Sequence, residues 1–259
     1  MAADGTNVDR LRMDVEPDVT DTTAPATPSM SLPARLFGVL LSPRATYAAI
    51  AERPRWLGAL AVLLVLAMAP TTMFMATDVG KQAWLDAALR QQEALGRTIS
   101  DAQYQGMERM QSIAPYITAV GQFIFIPIML LIIAAVCFAI FNALLGGDAA
   151  FKQVLAIVAH SNVIIGLSTV FTVPIMYARQ AMTGATNLAV FLPFLEDTSF
   201  AARFLGAIDL FWSWWIVSLS IGLGVLYKRR TGPIAIALMS VYIVIALVIA
   251  LIRTALAGA

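Results

Sequence analysis

Five long apolar runs restrict what this chain can fold into. They cover residues 56–76, 117–145, 153–177, 207–227 and 233 to about 257. A helix needs about 20 residues to cross the roughly 30 Å of hydrocarbon in a bilayer, and each run is long enough. Because lipid offers no hydrogen-bond partner, the backbone groups of each run must be satisfied within that run. The sequence therefore predicts an all-α fold, a polytopic membrane helical bundle with about five transmembrane helices.

The composition agrees with a protein whose main partner is the lipid bilayer. Hydrophobic residues make up 59% of the chain and charged residues 13%, where soluble domains have about a quarter of charged residues. The formal net charge of +1 gives no reason to expect a nucleic acid as partner. Cys137 is the single cysteine, so an intrachain disulfide and a zinc site built from thiolates are both excluded.

Two segments of different character precede the first span. Residues 1–31 are rich in Asp, Thr and Pro and poor in large apolar residues, which predicts a disordered acidic tail. Residues 32–55 combine short apolar clusters with arginines, and Ser42 followed by Pro43 is a helix start. We interpret 32–55 as short helices on the membrane surface, with arginines toward anionic headgroups, and a soluble amphipathic linker as the alternative. Residues 56–259 then form the five-span membrane domain.

The two longer loops differ in pattern. In residues 77–116, Trp84, Leu85 and Leu89 fall at helical spacing, and Ser100 to Gln103 is a capping box that opens a second short helix. Residues 179–206 are too short and too interrupted to span, so they are predicted to skim the membrane interface, with a re-entrant loop as the alternative.

Orientation is predicted from the density of basic residues near the helix ends. Lys228, Arg229 and Arg230 occupy one tiny loop, and further arginines are grouped before the first span. Lysines and arginines on the other side are spread over longer loops. By the positive-inside rule the amino terminus is predicted to be cytoplasmic and the carboxyl terminus outside.

Few strongly polar residues lie inside the predicted spans, and each is a candidate functional residue because burying it in lipid is costly. His160, Ser161 and Asn162 lie in the inner part of the third span, and Asn142 lies near the inner end of the second. His160 suits a gate, a proton relay or a ligand site, and equally a structural hydrogen bond to a neighbouring helix.

The turn at residues 146–148 predicts that the second and third spans form an antiparallel hairpin. Reflection about residue 150 places Pro127 opposite Pro174. Such paired prolines occur in the broken helices of transporters, and they are also ordinary kinks.

The fourth and fifth spans are predicted to form another hairpin. Asp209 and Arg253 are about equally far from its turn, so both reach the outer boundary of the membrane. We predict a salt bridge between them, with separate snorkelling to water as the alternative. The pairs Ser218 with Gly222 and Ser220 with Gly224 indicate close helix packing, within the bundle or between copies.

Enzyme function is not expected, because the parts are missing. The chain has no HExxH, no pair of carboxylates within the spans and no phosphate-binding glycine loop. His160 and Ser161 are adjacent, so they point about 100° apart on a helix and cannot act as nucleophile and base. No cofactor is expected either.

Three stretches carry a family resemblance: residues 36–47 (LFGVLLSPRATY), residues 145–153 (LGGDAAFKQ) leading to His160, and residues 204–211 (FLGAIDLF). Together they resemble the bacterial branch of the Yip1 family over residue 32 to the carboxyl terminus. The resemblance implies a multi-pass bundle in the bacterial inner membrane with a cytoplasmic amino terminus. Eukaryotic relatives are associated with small GTPases and vesicle traffic. Their DLYGP and GYxxxP motifs are missing here, which counts against GTPase binding.

Two functions follow as expectations. The first is a non-enzymatic scaffold or adaptor in membrane organisation or trafficking, which packs against an unknown membrane protein or a second copy of itself. The alternative is a small-solute transporter or channel whose path is lined by polar residues of the third span.

Overall fold

The computed structural model describes residues 30–94, 97–182, 184, 186–196 and 199–257. The predicted acidic tail therefore lies outside the described residues, apart from Met30 and Ser31. The described chain consists of helices joined by turns and short loops, and its β-type pairing is limited to one isolated bridge between Asn187 and Asp209. The helices are α1 (Leu32–Leu41), α2 (Pro43–Glu52), α3 (Leu57–Ala76), α4 (Asp78–Ala94), α5 (Asp101–Met110), α6 (Ala114–Phe138), α7 (Phe151–Ser161), α8 (Val163–Arg179), α9 (Phe200–Gly206), α10 (Leu210–Leu226) and α11 (Thr231–Ala257).

The prediction of an all-α membrane bundle is confirmed, with a qualification on the number of full-length spans. Four helical segments are long and apolar enough to cross a bilayer: α3, α6 with its continuation to Leu144, the α7–α8 pair over Phe151–Arg179, and α11. The fourth predicted run became α10, which is apolar but has only 17 residues. At 1.5 Å per residue it is about 26 Å long. It is shorter than predicted because the helix begins only after Asp209.

The second and third spans meet in the predicted hairpin. The end of α6 widens into a π-helical segment, Ala139–Leu144, and the chain then turns through Gly146, whose φ is +67°. Glycine adopts this left-handed conformation without the steric cost that a Cβ brings. The turn returns the chain into α7, which packs against α6.

α7 lies at the centre of the bundle. All its residues from Val154 to Ser161 are buried, and it contacts α1, α2, α3, α6 and α10. The third span was predicted as one continuous helix, and it consists of α7 and α8 with a single turn residue, Asn162, between them. The φ of −67° and ψ of −12° at Asn162 stay in the right-handed helical region, so the two helices together form one span. Beyond that point α8 packs against α3 and α10, whereas α6 packs against α3 and α7. Pro127 and Pro174 therefore lie on helices that do not pack together, and they form no matched pair.

The predicted short helices before the first span are confirmed as α1 and α2. Phe37 and Leu41 are exposed, as expected of helices at a membrane surface. Tyr47 and Ile50, however, are fully buried against the protein, because α2 packs on α7 and α10. Arg35 also departs from the prediction, since it is buried and its Nε donates a 3.0 Å hydrogen bond to the Met30 carbonyl.

The loop between α3 and α6 contains the two predicted short helices, α4 and α5. The capping box is confirmed: the Ser100 hydroxyl accepts from the Gln103 amide at 3.4 Å, and the Gln103 side chain accepts from the Ser100 amide at 3.0 Å. Every residue of α5 is at least partly exposed. In the loop between α8 and α10 the chain forms a short 3₁₀ turn, Leu188–Phe191, and the seven-residue α9.

Candidate functional site

The site with most buried polar groups lies where α2, α7 and α10 meet. The Tyr47 hydroxyl is 2.7 Å from the Ser218 hydroxyl, and the Ser161 hydroxyl lies close to the same tyrosine. His160 is on the same helix as Ser161 and has no exposed surface. We call Tyr47, Ser161 and Ser218 the polar cluster.

A glycine makes the approach of these helices possible. A Cβ at Gly222 would lie 2.5 Å from Cγ2 of Ile157 and 3.1 Å from the Tyr47 ring. Gly222 is one helical turn beyond Ser218, so α10 presents a hydroxyl and a gap on one face. The predicted small-residue pair Ser218 and Gly222 thus packs within the bundle. At Gly224 a Cβ would lie 3.0 Å from the Thr231 hydroxyl, so that residue also packs within the chain.

His160 bonds its own helix. Its Nδ1 lies 2.7 Å from the Ala156 carbonyl, which can only accept, so Nδ1 carries the proton. In this neutral tautomer Nε2 is an acceptor, and it has no partner within the described part of the chain. The interpretation of His160 as a hydrogen bond between helices does not hold in this structure.

Ser161 and Asn162 likewise bond backbone of their own helix. The Ser161 hydroxyl donates to the Val158 carbonyl at 3.0 Å, and the Asn162 side-chain Nδ2 donates to the same carbonyl at 2.9 Å. The Val158 carbonyl also accepts from the Asn162 backbone N–H at 3.1 Å, so all these bonds stay within the third span.

Asn142 forms a separate site in the π-helical segment that follows α6. Its Nδ2 donates to the Ala149 carbonyl at 2.8 Å, and its Oδ1 accepts from the Tyr227 hydroxyl at 2.6 Å. The Tyr227 ring stacks on Phe141 and covers Gly147, where a Cβ would lie 2.6 Å from the ring. Asn142 therefore closes the α6–α7 turn and joins it to the end of α10.

The predicted salt bridge between Asp209 and Arg253 is not present. Asp209 is the N-cap of α10: Oδ1 accepts from the amides of Phe211 at 2.7 Å and Trp212 at 3.2 Å, and Oδ2 accepts from the Thr186 hydroxyl. A carboxylate at this position satisfies helix amides that would otherwise have no partner. Arg253 is exposed, and its backbone carbonyl accepts from Arg203 at 2.9 Å.

Sequence reasoning missed the tyrosines that join the helices. Besides Tyr47 and Tyr227, the Tyr242 hydroxyl accepts from the Asp209 amide at 2.8 Å and donates to the Ala207 carbonyl at 3.2 Å, which links α11 to the start of α10. It also missed Gln153, which accepts from the Ala150 amide and donates to the Ala51 carbonyl, both at 2.9 Å. The available signal was the residue type, since a buried tyrosine hydroxyl usually has a partner.

The described residues offer little for chemistry. Among them no three His, Cys, Asp or Glu side chains lie close enough together to hold a metal ion. The hydroxyl of Ser161 and the Nδ1 of His160 are both bonded to backbone carbonyls of α7 rather than to each other. The arrangement is one of helices joined by structural hydrogen bonds.

The fold and its hydrogen bonds are those of a polytopic helical membrane protein. The family model for the Yip1 domain matches residues 37–252, from α1 to near the end of α11. This chain belongs to the Yip1 family. Neither the curated proteins nor the solved structures compared with the chain gave a match.

Proposed function

We propose that this protein is a non-enzymatic scaffold or adaptor in membrane organisation or trafficking. It binds another membrane protein, or a second copy of itself, through the apolar faces of α6 and α11. The observation that carries this proposal is a contrast between polar side chains of the spans that bond inside the bundle and apolar helix faces that stay exposed. Ser218, Asn142 and Asn162 bond within the bundle. α6 and α11, by contrast, are the least buried of the four candidate spans, and Phe125 on α6 and Ile236 on α11 are 60% and 69% exposed. Exposed apolar helix faces are where membrane helices associate by close packing.

The proposal is tested by photo-crosslinking in the membrane. A benzophenone amino acid is placed at Phe125 or at Ile236, and as a matched control at Val65 on α3, which is 64% exposed. We expect defined protein adducts from the α6 and α11 positions and far weaker ones from Val65. Mass spectrometry of the adducts separates a second copy from a different membrane protein. Equal, diffuse labelling at all three positions contradicts the proposal.

Transport of a small solute is the second candidate, and one observation favours it: the unpartnered Nε2 of buried His160. We replace Cys137 by Ala, introduce single cysteines at Asn142, His160 or Asn162, and treat membranes with a small charged thiol reagent. A cysteine in the exposed turn, Asp148→Cys, is the positive control. Under the scaffold proposal only the control reacts. Strong labelling at residue 160 indicates a water-filled path and favours transport.

We place the protein in a bacterial inner membrane, with its amino terminus in the cytoplasm. Support comes from the distribution of charge in the described chain. Glu52 and Asp148 are the described acidic residues on the side where α2 ends and α7 begins. The basic residues of that side are Arg35, Arg44, Arg53, Arg55, Lys152, Lys228, Arg229 and Arg230. The opposite side carries acidic and basic residues in similar numbers. We do not propose GTPase binding, because the chain lacks the DLYGP and GYxxxP motifs.

A further inference from the structure

An open groove separates the two helices that expose most apolar surface. α6 and α11 do not pack against each other; α7 covers the inner face of the first and α10 that of the second. The space between them has a volume of about 490 Å³. Its walls are apolar, with Cys137 and Ile140 on the α6 side and Ile234, Leu238 and Val241 on the α11 side. Because both helices face lipid, the groove is open to the acyl chains of the bilayer.

The groove has a basic end. Arg229 and Arg230 lie at its mouth, in the short turn between α10 and α11. The Arg229 guanidinium donates to the Leu145 carbonyl at 2.8 Å, which fixes it across the gap to the end of α6. Both arginines are exposed, and the described residues provide neither with an ion pair. α11 begins at Thr231, so its free amides and the positive end of its dipole lie at the same mouth.

We infer that this groove is a binding site for one anionic glycerophospholipid. The phosphate of the headgroup binds at Arg229 and Arg230, where it supplies the counter-charge that the described chain lacks. One acyl chain follows the groove from Pro233 to Val241, a distance of about 12 Å along α11 at 1.5 Å per residue. Basic pockets between transmembrane helices at a membrane surface bind anionic lipid headgroups in this way.

The two arginines and the apolar walls together favour an anionic lipid over a zwitterionic lipid and over a free phosphate ion. A zwitterionic lipid brings a cationic group close to two arginines and loses the charge complementarity. A free phosphate ion leaves the apolar walls unfilled. The inference does not depend on the proposed scaffold function, because it concerns one lipid molecule and no protein partner.

Native mass spectrometry of the full chain, released from detergent, tests the inference. The probes are dioleoylphosphatidylglycerol and dioleoylphosphatidylcholine, which share their acyl chains and differ in headgroup charge. We expect one tightly bound phosphatidylglycerol per chain and at least tenfold weaker binding of phosphatidylcholine. With Arg229→Gln and Arg230→Gln combined, we expect phosphatidylglycerol to bind about 30-fold more weakly, from about 1 kcal/mol for each basic residue near the lipid.

Two matched controls decide whether the groove itself is responsible. Arg53→Gln combined with Arg55→Gln removes two arginines from the same side of the membrane but outside the groove. Ala237→Trp fills the groove and leaves both arginines in place, whereas Ala235→Trp adds the same bulk to α11 outside the groove lining. We expect Ala237→Trp to abolish tight binding, and the controls to change it less than twofold.

Three results overturn the inference. These are equal binding of the two lipids, equal weakening by the two arginine pairs, and tight binding that survives Ala237→Trp. If the double substitution at Arg229 and Arg230 prevents folding, the comparison of the two tryptophan variants still decides. Loss of lipid binding with unchanged photo-crosslinks would contradict the lipid site and still support the scaffold proposal. Loss of the photo-crosslinks with unchanged lipid binding would contradict the scaffold proposal and still support the lipid site.

Discussion

Tyr47 has two separate roles in the packing of this bundle. Its hydroxyl pairs with Ser218, and its ring fills the gap above Gly222. Burial raises the pKa of Tyr47 above its ordinary value, against a smaller lowering by its hydroxyl partners. The side chain therefore stays protonated at physiological pH. It joins α2 to α10 as a neutral group and needs no counter-ion.

The hydroxyl pair is tested by a double-mutant cycle of Tyr47→Phe and Ser218→Ala. Each single variant removes the buried hydrogen bond between Tyr47 and Ser218, so we expect each to lower the free energy of unfolding by about 1 kcal/mol. The double variant is expected to lose less than the sum of the two. Unfolding is followed by circular dichroism in mixed micelles. Tyr104→Phe on the exposed face of α5 is the control, and strict additivity counts against the pair.

Gly222 provides a second prediction. Gly222→Ala places a methyl group against Ile157 and the Tyr47 ring, so we expect a loss of about 1–3 kcal/mol from overpacking. Gly121→Ala on α6 is the matched control, because a Cβ there meets no atom within 4 Å. The same micelle unfolding assay applies. A Gly222→Ala protein as stable as the control variant would show that α10 moves away from α2 and α7 with little loss of folding free energy.

Among the elements, the third span shows where sequence reasoning succeeds and where it stops. Its length and hydropathy predict a crossing helix, and the glycine turn before it predicts the hairpin with α6. The turn residue at Asn162 is not predictable from periodicity, since apolar residues dominate both α7 before it and α8 after it. The neighbours of the two halves differ, because α7 packs mainly on α2, α6 and α10, whereas α8 packs mainly on α3.

The failed ion pair has a similar explanation. Equal distance from a turn places Asp209 and Arg253 at one depth, but depth does not decide which partner a carboxylate takes. Asp209 stands directly before α10, and the helix amides there are closer partners than an arginine on another helix. Asp preceding an apolar run is a known N-cap signal. The position of Asp209 directly before the apolar run was therefore the better guide to its partner than its distance from the turn between the fourth and fifth spans.

α5 allows a test of a single element. It has no buried residue, so its capping box is its main source of local stability. Ser100→Ala removes one half of the box at a cost of about 1 kcal/mol. We expect amide hydrogen exchange in α5 to rise about fivefold while α7 is unchanged. Thr98→Ala, a nearby exposed residue outside the helix, is the control. Unchanged exchange in α5 would mean that contacts beyond the cap hold this helix.

At the scale of the whole molecule, the two ends of the bundle differ in charge and in construction. The basic end combines α1, α2 and two tight turns, whereas the opposite end has two long loops with short helices. This asymmetry was visible in the sequence, because loop lengths and lysine and arginine positions follow from the span boundaries. The burial of Tyr47 and Arg35 was not, since it depends on contacts between residues far apart in the chain.

The orientation is tested with an impermeant thiol reagent on intact bacterial cells that produce the Cys137→Ala protein. A cysteine at Gly106 in α5 has open space around its Cβ, and a cysteine at Asp148 is in the exposed α6–α7 turn. We expect labelling of Gly106→Cys in intact cells, and of Asp148→Cys only after the cells are opened. The opposite pattern would reverse the assigned orientation.

The contact between Tyr47 and Ser218 also sets an order of events during synthesis. The two residues are 171 positions apart in the chain, and at roughly 5–20 residues per second the ribosome needs roughly 10–30 s to go from one to the other. During that interval α2 has left the ribosome, but α10, against which it packs in the complete protein, has not yet been synthesised. A chain that stops before α10 cannot form this contact. Its Tyr47 hydroxyl then lacks Ser218, and the face of α7 that packs on α10 stays uncovered, which distinguishes an incomplete protein from a complete one.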